Sequence, residues 1–78
     1  MPTPLSASQT LEREFLGFRC RLIELAATLD RLDRAEGRVN DDPRMTQIRR
    51  ALEVLAADVP DRTERVQMLF SLPYQERG

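Results

Sequence analysis

Cys20 is the only thiol among the 78 residues of this sequence, and there is no histidine that could activate it. Histidine is the usual proton carrier near neutral pH and a common ligand of zinc. Cys20 also falls in a row of apolar residues, described below, where a thiol behaves as a small apolar group. The sequence therefore predicts a protein that is not an enzyme and has no catalytic residues, no cofactor and no metal ligands.

Carboxylates are concentrated in residues 30–42, where their oxygens are of the type that binds Ca²⁺ or Mg²⁺. The acidic residues of this segment are Asp30, Asp33, Glu36, Asp41 and Asp42. Their spacing does not match an EF-hand loop, and three arginines are interleaved with them. Asp30 precedes Arg34 by four residues, which is the favourable order for an ion pair on a helix. We therefore expect a solvated helix end that pairs its own charges.

The arginines of the C-terminal half suggest a second chemistry, the binding of phosphate. All twelve basic residues are arginine, whose guanidinium fork suits phosphate oxygens. Two short helices around residue 60 could imitate a helix-turn-helix, with phosphate contacts from Arg44, Arg49, Arg50, Arg62 and Arg65. Acidic residues flank that turn, however, and a net charge of −1 gives no general attraction to nucleic acid. A nucleic-acid-binding or regulatory protein is therefore the second hypothesis, and nucleic acid is not the expected partner.

The length and composition indicate one small helical domain covering residues 1–78. The chain is 41% hydrophobic and 32% charged, and it has three phenylalanines, one tyrosine and no tryptophan, so strands are not expected. A single cysteine excludes an internal disulfide. Small chains that lack disulfides and structural metals commonly gain stability by oligomerising.

The sequence gives no sign of a membrane protein. No stretch approaches the ~20 apolar residues that a transmembrane helix needs. Residues 1–10 lack the charged start and apolar core of a signal peptide. An unpaired thiol is compatible with a reducing compartment, and we expect a cytoplasmic location with no membrane partner.

Capping signals predict three helices. Ser6 and Gln9 have capping-box spacing, so the first helix should span about residues 7–36, with Gly37 as a left-handed stop. Asp42 followed by Pro43 predicts the start of a second helix of about residues 43–57. After Pro60, the pair Asp61 and Glu64 predicts a third helix of about residues 62–71, which Pro73 ends.

An uninterrupted heptad pattern runs along the first helix, and we call it the heptad seam. Its members are Leu11, Phe15, Phe18, Leu22, Leu25, Leu29 and Leu32. Shorter apolar faces on the other helices comprise Met45, Ile48, Leu52, Leu55, Val66, Leu69 and Phe70. The pattern predicts an all-α helical hairpin in which these residues form the internal core. The second helix would lie along the C-terminal half of the first, and the third along its N-terminal half.

Four further residues form a second apolar row on the first helix: Leu16, Cys20, Ile23 and Ala27. At about 100° per residue this second row lies some 150° from the heptad seam. The chain's own helices could cover both faces, a second copy could cover one of them, or a different protein could do so. We favour a homodimer, completed into a helical bundle, with the second row as the partner interface. The predicted function is a protein–protein interaction module.

Overall fold

Three α-helices account for the regular structure of a computed structural model that describes residues 4–71. They are α1 (Ala7–Arg34), α2 (Pro43–Ala56) and α3 (Arg62–Ser71), and the described residues contain no strand. The prediction of an all-α protein with three helices is therefore confirmed. The chain divides into two compact units, Met1–Glu36 with α1 and Gly37–Gly78 with α2 and α3. The single domain predicted for residues 1–78 stays a prediction.

The start of α1 is fixed by the capping box that the sequence predicts. The Ser6 hydroxyl accepts a hydrogen bond from the Gln9 backbone N–H at 3.1 Å. The Gln9 side-chain oxygen accepts one in return from the Ser6 backbone N–H at 2.9 Å. Ser6 has extended backbone angles, as an N-cap requires. Two N–H groups that a helix start would leave without partners are thereby satisfied.

The end of α1 comes at Arg34, two residues before the predicted position. The Ala35 backbone N–H donates to the carbonyls of Arg31 and Leu32, at 3.1 and 3.3 Å, and Ala35 then turns into extended backbone. Gly37 has a φ of 93°, so this glycine takes the left-handed conformation predicted for it. It lies two residues beyond the C-cap.

The start of α2 is also the predicted one. Asp42 is the N-cap, and its carboxylate accepts from the Arg44 backbone N–H at 2.9 Å. Pro43 takes the first helical position, where its missing N–H costs nothing. The helix ends at Ala56, one residue before the predicted end, and Ala57 is the C-cap.

The start of α3 differs in geometry from the predicted capping box. Asp61 has a φ of 60°, whereas Ser6 and Asp42 have extended φ of −71° and −73°. Aspartate is one of the few residues that tolerate this left-handed region. The Arg65 backbone N–H donates to the Asp61 carbonyl at 3.0 Å, so the helix begins directly from the left-handed residue. Its last described residue is Ser71, and Pro73 lies outside the described residues.

The second unit is held together by α2 packing against α3. Ala51, with 8% of its surface exposed, is the only buried residue in the range 4–71. Five residues of α2 and α3 from the predicted core list are half-buried: Met45, Ile48, Leu52, Val66 and Leu69. Leu55 and Phe70, predicted for the same core, are exposed. The inner faces of the two helices thus make a small, shallow core.

Candidate interaction surface

The heptad seam lies on a single uninterrupted helix of 28 residues, α1. Its seven side chains share one face because steps of three and four residues return to the same side of a helix. Each of them is between 37% and 55% exposed. Water thus reaches a row of five leucines and two phenylalanines, which is the kind of apolar surface that binds another protein.

Charged residues border the heptad seam along its N-terminal half. Glu12 and Arg19 lie on one edge, seven residues apart, and Glu14 and Arg21 lie on the other edge with the same spacing. All four are exposed. The Arg21 guanidinium leans back along the helix, so its Nη1 lies 3.4 Å from the point where a Cβ on Gly17 would be. Each edge therefore carries a negative charge followed, one heptad later, by a positive one.

The second row is also open to water over most of its length. Leu16 is 71% exposed, the highest value among the large apolar residues within positions 4–71, and Ile23 is 53% exposed. Cys20 is a free, exposed cysteine, and Ala27 is half-buried. The structure thus brings the four predicted interface residues onto one side of α1. Their predicted role as the partner interface stays a prediction, as does the role of the heptad seam as internal core.

Three of the five arginines proposed as phosphate contacts have local partners within the second unit. The Arg44 guanidinium donates to both carboxylate oxygens of Asp42, at 3.0 and 2.7 Å. Arg62 donates through Nε and Nη2 to the Ala57 carbonyl, at 3.1 and 2.6 Å. Arg65 Nε donates to the Pro60 carbonyl at 3.0 Å. Arg62 and Arg65 therefore satisfy carbonyls at and after the end of α2 that the helix leaves open.

The acidity of Asp42 is clearly shifted. Side-chain and backbone hydrogen bonds from Arg44 stabilise its carboxylate and lower its pKa from 3.8 to about 2. The pKa shift therefore arises from the hydrogen bonds that Asp42 makes as the N-cap of α2. It gives Asp42 no acid–base role near neutral pH, where a catalytic group would need a pKa much closer to 7.

An open groove of about 460 Å³ lies between α2 and α3. Its lining includes the apolar side chains of Val54, Met68 and Leu69, with Asp61, Glu64 and Arg65 at its charged side. Near it, Gln47 Nε2 donates to the Leu69 carbonyl at 3.1 Å and joins the two helices.

The acidic residues around the first loop do not gather into a metal site. Across residues 4–71, no three cysteine, aspartate or glutamate side chains come together in a way that could hold a metal ion. Asp42, the one member of this group with a described ion pair, uses its carboxylate to cap α2 and to bind Arg44.

No helix in the described part of the chain is both long and apolar enough to span a bilayer. Although α1 is long enough, charged residues recur throughout its sequence.

Comparison with known proteins gives no relative from which a function could be transferred. No protein-family model matches the sequence, and no curated protein or solved structure is significantly similar to it.

Sequence reasoning missed the contacts of Gln47, Arg62 and Arg65. Each joins residues whose meeting depends on the turn between α2 and α3, so helical spacing alone could not reveal it. One signal was present in the sequence for Gln47. Pro73 stands four residues after Leu69 and has no N–H, so the Leu69 carbonyl cannot receive the usual helical hydrogen bond.

Proposed function

We propose that this protein is a non-enzymatic helical interaction module that self-associates as a homodimer and works in the cytoplasm. The single cysteine supports the last point, since secreted small domains usually rely on disulfides. Self-association would supply the apolar burial that a chain of 78 residues is usually too small to achieve alone.

The observation that carries this proposal is the exposure of apolar residues on α1. The whole heptad seam is at least 37% exposed, and Leu16 and Ile23 of the second row are more than half exposed. Burying one leucine or isoleucine fully is worth about 1.5–3 kcal/mol. Folded domains are stable by only about 5–15 kcal/mol in total, so covering even two or three of these residues would change the stability substantially.

The proposed arrangement is a hairpin completed by a second copy. In the form that the sequence predicts, α2 and α3 cover the heptad seam as the internal core, and the second row meets the other copy. A two-fold dimer would then bury this row twice and give a bundle of four to six helices.

The arginines of the second unit give less support to nucleic-acid binding. Arg62 and Arg65 are engaged with backbone carbonyls, and Arg44 is paired with Asp42. To contact phosphates, these arginines would have to give up local bonds that hold the ends of α2 and α3.

The mass of the purified chain in solution tests the proposal. Light scattering at tens of micromolar should give twice the 9.0 kDa of one chain. Dilution should shift the mass towards one chain, because dimerisation depends on concentration. A mass of 9.0 kDa at every concentration would contradict self-association, and a larger closed assembly would contradict the dimer.

A further inference from the structure

We infer that α1 of a second copy lies antiparallel along the N-terminal half of the heptad seam, over Leu11, Phe15, Phe18 and Leu22. This inference rests on the proposed self-association alone. It assigns the contact to the N-terminal half of the heptad seam, in place of the second row and of the cover by α3 that the sequence pattern predicts. These four residues are the more open part of the seam, at 49–55% exposed, against 37–44% for Leu25, Leu29 and Leu32.

The charges beside these four residues are self-complementary. In an antiparallel pair of helices, each edge of the apolar stripe meets the same edge of the other copy. With Phe15 opposite Phe18 and Leu11 opposite Leu22, Glu12 meets Arg19 of the second copy on one edge. Glu14 meets Arg21 on the other. The two-fold axis repeats both contacts, so four pairs of opposite charge surround four apolar layers.

The start of α1 limits the overlap, and the layer beyond the four apolar ones sets Leu25 against Ser8 of the second copy. In this register Ala7, the first residue of α1, lies level with Ala26 of the second copy. The overlap therefore spans residues 7–26 of both chains. Leu29 and Leu32 fall outside it and stay available to the chain's own helices in the predicted hairpin.

Other pairings of the same seam use these charges less well. A parallel, in-register pair brings Glu14 near Arg19 but leaves Glu12 and Arg21 unmatched, and it aligns the two helix dipoles. Sliding the antiparallel pair by one heptad sets Arg19 against Arg19 and Arg21 against Arg21. The register centred between Phe15 and Phe18 is the one that matches all four charged residues.

Three of these charges have no helical neighbour to pair with. Pairs on one helix form between residues three or four apart. At those distances Glu12, Glu14 and Arg19 have only apolar or uncharged polar residues, while Arg21 has Glu24. Charges that do not serve the helix itself, placed beside an exposed apolar stripe, are typical of a surface that selects its partner by charge.

Disulfide trapping tests the geometry. In the full chain with Cys20→Ser, the variants Leu11→Cys and Leu22→Cys are oxidised separately and then as a mixture. The antiparallel register predicts a cross-linked dimer in the mixture and none from either variant alone, because identical positions lie about 16 Å apart along the axis. Cross-linking of each variant with itself would overturn the inference in favour of a parallel pair.

A charge exchange tests the same contact without removing an apolar side chain. Glu14→Arg and Arg21→Glu should each raise the dimer Kd on the order of tenfold, because each turns two attractive pairs into repulsive ones. The double variant should recover the original Kd, and an equimolar mixture of the single variants should form heterodimers. Arg13→Glu, a charge reversal on the opposite side of α1, is the control and should leave Kd unchanged.

The results of these experiments distinguish failure of the antiparallel contact from failure of self-association. A chain that is monomeric by light scattering overturns both. A dimer whose Kd does not respond to Glu14→Arg or Arg21→Glu, or that gives no cross-link in the mixture, overturns the antiparallel contact and leaves self-association standing. Circular dichroism of each variant checks that the helical content of the chain is retained.

Discussion

The side chain of Gln47 on α2 completes the hydrogen bonding of Leu69 on α3. Gln47 Nε2 donates to the Leu69 carbonyl at 3.1 Å across 22 residues of sequence. In a continuing helix this carbonyl would accept from the backbone N–H four residues later, but residue 73 is proline and has none. Gln47 thus supplies a donor that a proline at position 73 cannot supply, and it ties α3 to α2.

Removing this bond should weaken the second unit. Gln47→Ala leaves a part-buried carbonyl without its donor, so we expect the free energy of unfolding to fall by about 1 kcal/mol. Gln67→Ala makes the same change at an exposed position of α3 and should alter stability by only a few tenths of a kcal/mol. Thermal unfolding of both variants measures the difference. Equal stability of the Gln47→Ala and Gln67→Ala variants would contradict the structural role of Gln47.

The helices could be predicted from the sequence because their signals are local. Ser6 with Gln9 and Asp42 with Pro43 act over three residues or fewer, and the structure confirms both starts. The ends of α1 and α2 were less exact, since no single side chain fixes them. Asp61 shows the limit of local reasoning. Its predicted capping geometry is replaced by a left-handed backbone, while Arg62 and Arg65 bond to carbonyls at residues 57 and 60.

The candidate surface was predictable only in part. Steps of three and four residues place the heptad seam and the second row on separate faces of α1. Periodicity does not say what covers either face, because a covering helix can belong to the same chain or to another. The edge charges are a separate signal. Their complementarity becomes apparent only when two copies of α1 are paired antiparallel, so that Glu12 and Glu14 face Arg19 and Arg21.

The stability of the α2 cap should depend on pH through Asp42. Its pKa is about 2 in the folded chain against an ordinary value of 3.8. Above 3.8 the carboxylate is charged in both states and its stabilisation is fully present. As the pH falls from 3.8 towards 2, the unfolded state takes up the proton first and that stabilisation is lost. Asp42→Asn retains an N-cap acceptor but cannot titrate. The free energy of unfolding of this variant should therefore depend less on pH between 3.8 and about 2.

The cause of that shift can be tested directly by NMR titration of the Asp42 carboxyl. Arg44→Gln removes the guanidinium bonds and retains the backbone N–H that also donates to Asp42. We expect the Asp42 pKa to rise from about 2 towards 3.8. A pKa that stays near 2 would assign the shift to the backbone donor alone.

Two glycines should respond in opposite ways to the same substitution. Gly17→Ala places a Cβ 3.4 Å from the movable end of Arg21 within α1, so the helix should gain up to about 1 kcal/mol. Gly37→Ala meets no atom within 4 Å, but Gly37 has a φ of 93°, and the strain should cost about 1 kcal/mol. Thermal unfolding compares the two variants. Destabilisation by Gly17→Ala would indicate that another backbone approaches Gly17 closely.

Glutamate substitutions on the two faces of α1 decide which face meets the second copy. Sequence alone favours the second row, so that Ile23→Glu would dissociate the dimer. The charges beside the heptad seam favour the other face. We therefore expect Phe18→Glu to weaken the dimer by about 1.5–3 kcal/mol. Full burial of one phenylalanine is worth about 1.5–3 kcal/mol, and each of the two Phe18 side chains has only its exposed half, 49%, left to bury. Ile23→Glu should leave Kd within about threefold.

Sedimentation at several concentrations measures both variants, and circular dichroism checks that each remains helical. The two substitutions are matched in their new side chain and in exposure, with Phe18 at 49% and Ile23 at 53%. If Ile23→Glu dissociates the dimer while Phe18→Glu does not, the second row is the partner interface. If Phe18→Glu unfolds the chain, the N-terminal half of the seam belongs to its internal core. A charge at a position that the monomer leaves exposed would weaken the dimer without unfolding the monomer, whereas a charge buried inside the monomer would unfold it.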